Sequence, residues 1–138
     1  MSGAVSGVEG KVIVVTGAAS GLGFADARLL ASQGAHVVMT DIDVERGSAL
    51  AKEIGAIFLA HDVSDEDRWG QVMLDVEAKY GRLDGLVNNA GVAHIANIEN
   101  TSHKVWRDTM AIHLDGTFFG CQAAIKLMKA SGGGSIVN

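Results

Sequence analysis

The sequence predicts an α/β fold, a doubly wound parallel sheet, and three observations carry that expectation. Short apolar runs bounded by turns alternate with segments of helical period, which is the pattern of βαβ units. The first run, Val12 to Val15, is continuous and β-branched, as a strand covered on both faces tends to be. Gly17, Asp41, Asp62 and Asn88 follow the first four runs, so turn-forming and polar residues gather at one edge of the sheet. That edge holds the carboxyl ends of the strands, where open α/β sheets bind ligands.

The elements follow in order. Lys11 leads into the first strand, and Gly17, Gly21 and Gly23 come after it within seven residues. Glycines there let the chain turn sharply and let a phosphate approach bare amides. The N-terminus of the next helix adds unpaired N–H groups and a partial positive charge. The trio reads G-x-x-x-G-x-G rather than the commoner G-x-G-x-x-G. The strand before it, the helix after it and the acid ending the next strand supply the context of a nucleotide pyrophosphate site.

Phe24, Ala27, Leu30 and Ala31 share a face of that helix, which runs to Gln33 and is stopped by Gly34. His36 to Asp41 is the second strand, apolar in its middle and acidic at its end. Val44 to Ile54 is a helix closed by Gly55, and Ala56 to Ala60 is the third strand, followed by His61-Asp62-Val63. Ser64 or Asp65 caps a further helix. In it Trp69, Val72, Met73, Val76 and Tyr80 form an apolar stripe, and Gly81 ends it. Leu83 to Val87 is the fourth strand and runs into Asn88-Asn89-Ala90-Gly91. A polar loop reaches Asn100. Thr101 or Ser102 then caps a long helix to Lys129, weakest at Gly116. Ser131 to Gly134 breaks it, and Ser135 to Asn138 begins a fifth strand. Right-handed crossovers give these strands the order 3-2-1-4-5.

The 138 residues, net charge of −5 and 48% hydrophobic content suit one soluble globular domain. No apolar run approaches the roughly 18 residues of a membrane span, so no membrane partner is expected. Met1 to Gly10 has neither the basic nor the apolar region of a secretory signal and reads as a frayed lead-in. The acidic balance, without a basic cluster, argues against nucleic acid as a partner. Cys121 stands alone, forms no internal disulfide and reads as a small buried core residue, which points to a cytoplasmic location. No histidine pair has metal-ligand spacing with Cys or a carboxylate, so no metal is expected. His36, His61 and His103 read as structural or solvent-facing.

Thr16-Gly17-Ala-Ala-Ser20-Gly21-Leu22-Gly23, Asp62-Val63 and Asn88-Asn89-Ala90-Gly91, in that order and spacing, resemble the short-chain dehydrogenase/reductase family, whose core is a Rossmann fold. The resemblance runs from about Glu9 to Asn138 and looks nearest to the secondary-alcohol and hydroxysteroid dehydrogenases. It implies that Gly17, Ser20, Gly21, Leu22 and Gly23 cradle the pyrophosphate and adenosine ribose. Asp62 and Val63 would hold the adenine, and Asn89, Ala90 and Gly91 would run past the ribose on the nicotinamide side. Asn88 would tie neighbouring strands together. Asp41 bears on the choice of cofactor on physical grounds as well. A carboxylate about 20 residues after the glycines can accept hydrogen bonds from ribose hydroxyls, and the same charge repels a 2′-phosphate. Position 20 is Ser, where relatives that prefer NADP often carry Arg or Lys. NAD is therefore the expected cofactor.

The resemblance also implies hydride transfer between the nicotinamide and a secondary alcohol or ketone. The family performs it with a Ser, a Tyr and a Lys four residues after the Tyr, all beyond the fifth strand. No Tyr-x-x-x-Lys occurs here; the single tyrosine, Tyr80, belongs to the apolar stripe and reads as packing. No catalytic residue is expected in the chain, which would supply the cofactor-binding half of a longer, tetrameric enzyme truncated after strand 5. In such tetramers the long helix forms part of the main dimer surface. His113 stands where the family usually has an Asn that helps hold a proton-relaying water; a relay role and an ordinary helix histidine both remain open. His94 falls on a loop the family places near the substrate mouth. The alternative is a non-catalytic dinucleotide-binding or interaction module ending at Asn138.

Overall fold

The structure is a computed structural model that describes residues 7–138, so the first six residues of the expected lead-in lie outside the described residues. Five parallel strands, β1 (Val12–Thr16), β2 (His36–Asp41), β3 (Ile57–Ala60), β4 (Gly85–Val87) and β5 (Ser135–Val137), form one sheet in the order β3-β2-β1-β4-β5. Val15 pairs with Met39 on one side and Val87 on the other, which brings the carboxyl ends of β1, β2 and β4 to one level.

Alternation along β1 explains why it sits in the middle. Val12 and Val14 face a core shared with Trp69, Val72, Val76, Leu86 and Leu127. Ile13 and Val15 face a second core with Ala27, Val37, Met39 and Ala51. Helices α3 (Glu66–Tyr80) and α5 (Gly116–Ala130) cover the first face; α1 (Gly21–Ser32) and α2 (Val44–Ile54) cover β1 to β3 on the second. Leu86 is 1% exposed, and cutting it back to Ala costs about 2–5 kcal/mol. β5 is an edge strand among the described residues, as the strand order predicts, and Val137 there is exposed. Beside it, on the α1 side, a cleft of about 530 Å³ runs along Ile13, Leu30, Gly85, Val87 and Val137.

Polar side chains set the helix boundaries. Asp43 accepts from the Arg46 N–H at the start of α2, and Asp65 from Arg68 at the start of α3. Ser64, the other candidate cap, donates instead to Asp62 at 2.6 Å. Gly55 and Gly81 close α2 and α3 at φ 72° and 70°, in the left-handed region that favours glycine. Ser102, not Thr101, caps α4 (His103–Met110) by accepting from Val105 N–H.

The long helix is interrupted before Gly116, not at it. α4 passes into a π turn, Ala111–Asp115, and α5 begins at Gly116. Thr109 and Thr117 hydroxyls bond back to the Val105 and His113 carbonyls at 2.7 Å, competing with the backbone ladder on either side of the extra residue. Gly116 has ordinary helical φ and ψ; it is small because a Cβ there would come within 2.9 Å of Val63. Cys121 departs from the buried reading too: it is half-buried, with Sγ 3.7 Å from Asn88 Nδ2. Tyr80 packs as expected, against the core and stacked on His36 at 5.3 Å.

Candidate functional site

The site is assembled from four strand ends. After β1 the chain turns at Gly17, with φ 63°, and the Ala18 N–H donates to the Thr40 carbonyl at 3.0 Å. The next amide, Ala19, donates to Asp41 Oδ2 at 3.0 Å, and Asp43 N–H donates to Oδ1 at 3.0 Å. The Asp41 carboxylate is therefore fixed at the end of β2 against the glycine turn. Each of its oxygens retains acceptor capacity.

Thr16 joins the two central strand ends. Its hydroxyl, 1% exposed, accepts from Asn89 N–H at 3.1 Å and Ala90 N–H at 3.0 Å. Asn89 turns its amide inward, donating to the Thr16 and Gly17 carbonyls at 3.1 and 3.3 Å. Gly23 is held small by the same contact: a Cβ there would lie 2.4 Å from Asn89 Nδ2 and from the Gly17 carbonyl oxygen. A Cβ on Gly17 would lie 2.8 Å from Ala90 Cα. The two turns are packed backbone to backbone, and only glycine permits it. Asn88 ties β4 to β5, its N–H donating to Val137 O at 2.9 Å and its side chain to Asn138 at 2.8 Å.

These turns enclose a cleft of about 420 Å³ at the carboxyl edge. Of the residues singled out from the sequence, Gly17, Ser20, Gly21, Leu22, Asp41, Asp62, Val63, Asn89, Ala90 and Gly91 line it; Gly23 lies behind, in the packing between the turns. Gly21 has φ 53° and nothing within 4 Å of where a Cβ would stand, so the backbone there is bare towards the cleft. Ser20 precedes α1 with its hydroxyl making no cap bond, and α1 has no acid in its first turn. Open space, free helical N–H groups and an uncommitted hydroxyl are what an anionic diphosphate needs, so the residues present fit a dinucleotide.

Ile42, Val92 and Ile112, which no motif singled out, also line the cleft, as does His61, which had read as structural or solvent-facing. His61 is 4% exposed, with Nδ1 2.9 Å from the Thr40 hydroxyl and its ring edge-on to Trp69 at 4.3 Å. Burial, assisted by Arg68 and opposed by Asp62 and Asp65, lowers its pKa to about 4. His113 in the π turn reaches the Gly91–Val92 backbone, its Nε2 lying 2.7 Å from Val92 O. His94 is exposed on the loop and is not among the lining residues. Among the described residues no group of three His, Cys, Asp or Glu is placed to hold a metal. The larger cleft beside β5 lies on a sheet face and is lined by none of Gly17, Asp41, Asp62 and Asn89.

A parallel sheet of order 3-2-1-4-5 with a glycine turn at its central strand end defines a Rossmann-type nucleotide-binding architecture. The profile described as short chain dehydrogenase matches residues 11–138, and the chain belongs to that short-chain dehydrogenase/reductase family. It is 45% identical over 136 residues to a D-threitol dehydrogenase of Mycolicibacterium smegmatis, covering 95% of this chain and 52% of that protein. It is 39% identical to an NADP-dependent (R)-specific alcohol dehydrogenase of Lentilactobacillus kefiri, covering 95% of this chain and 54% of that protein. A 3-beta-hydroxysteroid dehydrogenase of Comamonas testosteroni is 41% identical, with 95% and 52% covered. The chain thus spans about half the length of these relatives.

Proposed function

We propose that residues 1–138 form the NAD-binding Rossmann domain of an oxidoreductase acting on a secondary alcohol or ketone. The observation that carries this reading is the convergence of the Gly17–Gly21 turn, Asp41 and the Asn89–Gly91 turn on one cleft. Ser20, Gly21 and Leu22 would receive the pyrophosphate on bare amides and the Ser20 hydroxyl. Asp41 would accept from the adenosine ribose hydroxyls, and Asp62 and Val63 would hold the adenine. Asn89, Ala90 and Gly91 would border the ribose on the nicotinamide side. When bound, the nicotinamide supplies or accepts the hydride; the chain's own residues bind and orient it.

Asp41 is the basis for preferring NAD over NADP. Its carboxylate is pinned by two backbone N–H groups and cannot swing away from a 2′-phosphate without losing them. Like charges brought together in this way cost several kcal/mol. The family's Ser, Tyr and Lys have no counterpart in these 138 residues, so binding without turnover is expected of the chain alone. The test is titration with NADH and NADPH. NADH binding at least tenfold tighter supports the reading, and Asp41→Ala should narrow the gap. Tighter NADPH binding would overturn it.

The threitol, hydroxysteroid and (R)-specific alcohol dehydrogenases among the relatives support a small-molecule alcohol or ketone as substrate. Self-association, as a tetramer, is part of the proposal. Trp106, Leu114 and Phe118 stand exposed along the α4–α5 rod, and large apolar side chains grouped on a surface mark an interaction face. Among the described residues no helix is long and apolar enough to cross a membrane, and a cytoplasmic setting is proposed with the rest.

A further inference from the structure

Hydrogen-bonding capacity is distributed unevenly along the cleft. At the β4 end the donors are already committed. The Asn89 and Ala90 N–H groups donate to the Thr16 hydroxyl, and the Val92 N–H is aimed at His113 Nε2, 3.0 Å away. The Asn89 side-chain amide donates inward to the Thr16 and Gly17 carbonyls. Ala90, Gly91, Val92 and Ile112, which complete that end of the lining, have no polar side chain. The end formed by the β1, β2 and β3 turns is the reverse. Asp41 is pinned by two N–H groups, yet both its oxygens keep lone pairs for further donors. Ser20 makes no cap bond, and the first N–H groups of α1 have no partner within the helix. Asp62 takes the Ser64 N–H and O–H both on Oδ1, and Oδ2 keeps its acceptor capacity.

We propose that these residues hold a dinucleotide by its ADP-ribosyl half, so that free ADP-ribose is as good a ligand for the chain as NADH. The inference rests on the NAD-binding reading above and names the part of the ligand that is recognised. The uncommitted groups match that half one by one. A diphosphate accepts from the bare amides at the start of α1 and from the Ser20 hydroxyl. A ribose diol donates to Asp41, and an exocyclic amine donates to Asp62 Oδ2. The nicotinamide half lies against apolar side chains and committed N–H groups, and its carboxamide meets no side-chain donor among the described residues. It therefore adds little to the affinity of this chain.

The test is calorimetric titration of the full chain with NADH, ADP-ribose and reduced nicotinamide mononucleotide. ADP-ribose should bind within about fivefold of NADH, the scale of a single net hydrogen bond. The mononucleotide, at a concentration where ADP-ribose displaces NADH, should displace none. Asp41→Ala should weaken ADP-ribose and NADH by the same factor, because both present the same ribose to the carboxylate. NADH binding tighter than ADP-ribose by more than about fivefold overturns the proposal. Displacement of NADH by the mononucleotide, or unequal losses in the Asp41 variant, also overturns it. If neither NADH nor ADP-ribose binds, the NAD reading falls together with this one. If NADH binds and ADP-ribose fails to match it, this inference alone falls.

Discussion

His61 makes the fold sensitive to acid in a defined window. The perturbation is a drop in pH from 7 to 5. The folded chain holds this imidazole neutral, buried against Thr40 and Trp69, with its pKa lowered to about 4. In the unfolded chain a histidine titrates near 6.5. Below that value the unfolded state binds more protons than the folded state, so stability is present above about pH 6.5 and is lost as pH falls towards 4. Integrating between these two pKa values gives a loss of about 2 kcal/mol between pH 7 and pH 5. The structural cause is desolvation: Nε2 is buried and has no partner, so a proton placed there has no acceptor. The assay is urea unfolding at pH 7 and pH 5 for wild type and His61→Gln, which cannot titrate. The difference between their pH dependences isolates His61 from the carboxylates, and it should amount to about 2 kcal/mol. Parallel behaviour of the two proteins would refute the reasoning, because the burial argument would then have no energetic content.

Three further outcomes follow from the packing of the site and from the exposed rod. Thr16→Val removes the acceptor of two backbone N–H groups while keeping the shape, and should cost about 3 kcal/mol in urea unfolding. Gly23→Ala drives a methyl into the Asn89 amide and the Gly17 carbonyl, and should lower stability by about 1–3 kcal/mol in the same assay. Replacing Phe118 by Asp on the α4–α5 rod should shift sedimentation towards monomer while leaving the chain folded, since the side chain is 60% exposed; an unchanged sedimentation coefficient would count against self-association there.

Legibility in the sequence followed the range of the interactions. The strand order could be read because β-branched runs, glycine stops and right-handed crossovers are local or general rules, and β1 to β5 fall within a residue or two of their expected places. The gathering of Gly17, Asp41, Asp62 and Asn89 at one edge was legible for the same reason. What escaped depends on pairs distant in sequence. Thr16 was visible as part of a motif, but its two bonds to Asn89 and Ala90 span more than 70 residues. Gly23 has the spacing of a phosphate glycine, and the close approach of Asn89 that also requires it to be small was not visible. The π turn was missed because the helical period hides one extra residue. Gly116 drew attention as the weak point, while the threonines on either side carried the signal. His61 read only as structural or solvent-facing, and its burial depends on packing against Trp69; the reach of His113 to Val92 likewise spans residues distant in sequence.

The claim that the glycine turn and the N-terminus of α1 receive the pyrophosphate of a dinucleotide is tested most directly at Ser20. This residue precedes α1 and makes no cap bond. Aspartate is a good N-cap, so Ser20→Asp should leave Tm unchanged or raise it. The same carboxylate would face the diphosphate. Calorimetric titration with NADH should show binding to wild type and at least a tenfold loss in Ser20→Asp. Equal affinity of the two proteins, or no binding to the wild type, would contradict the account.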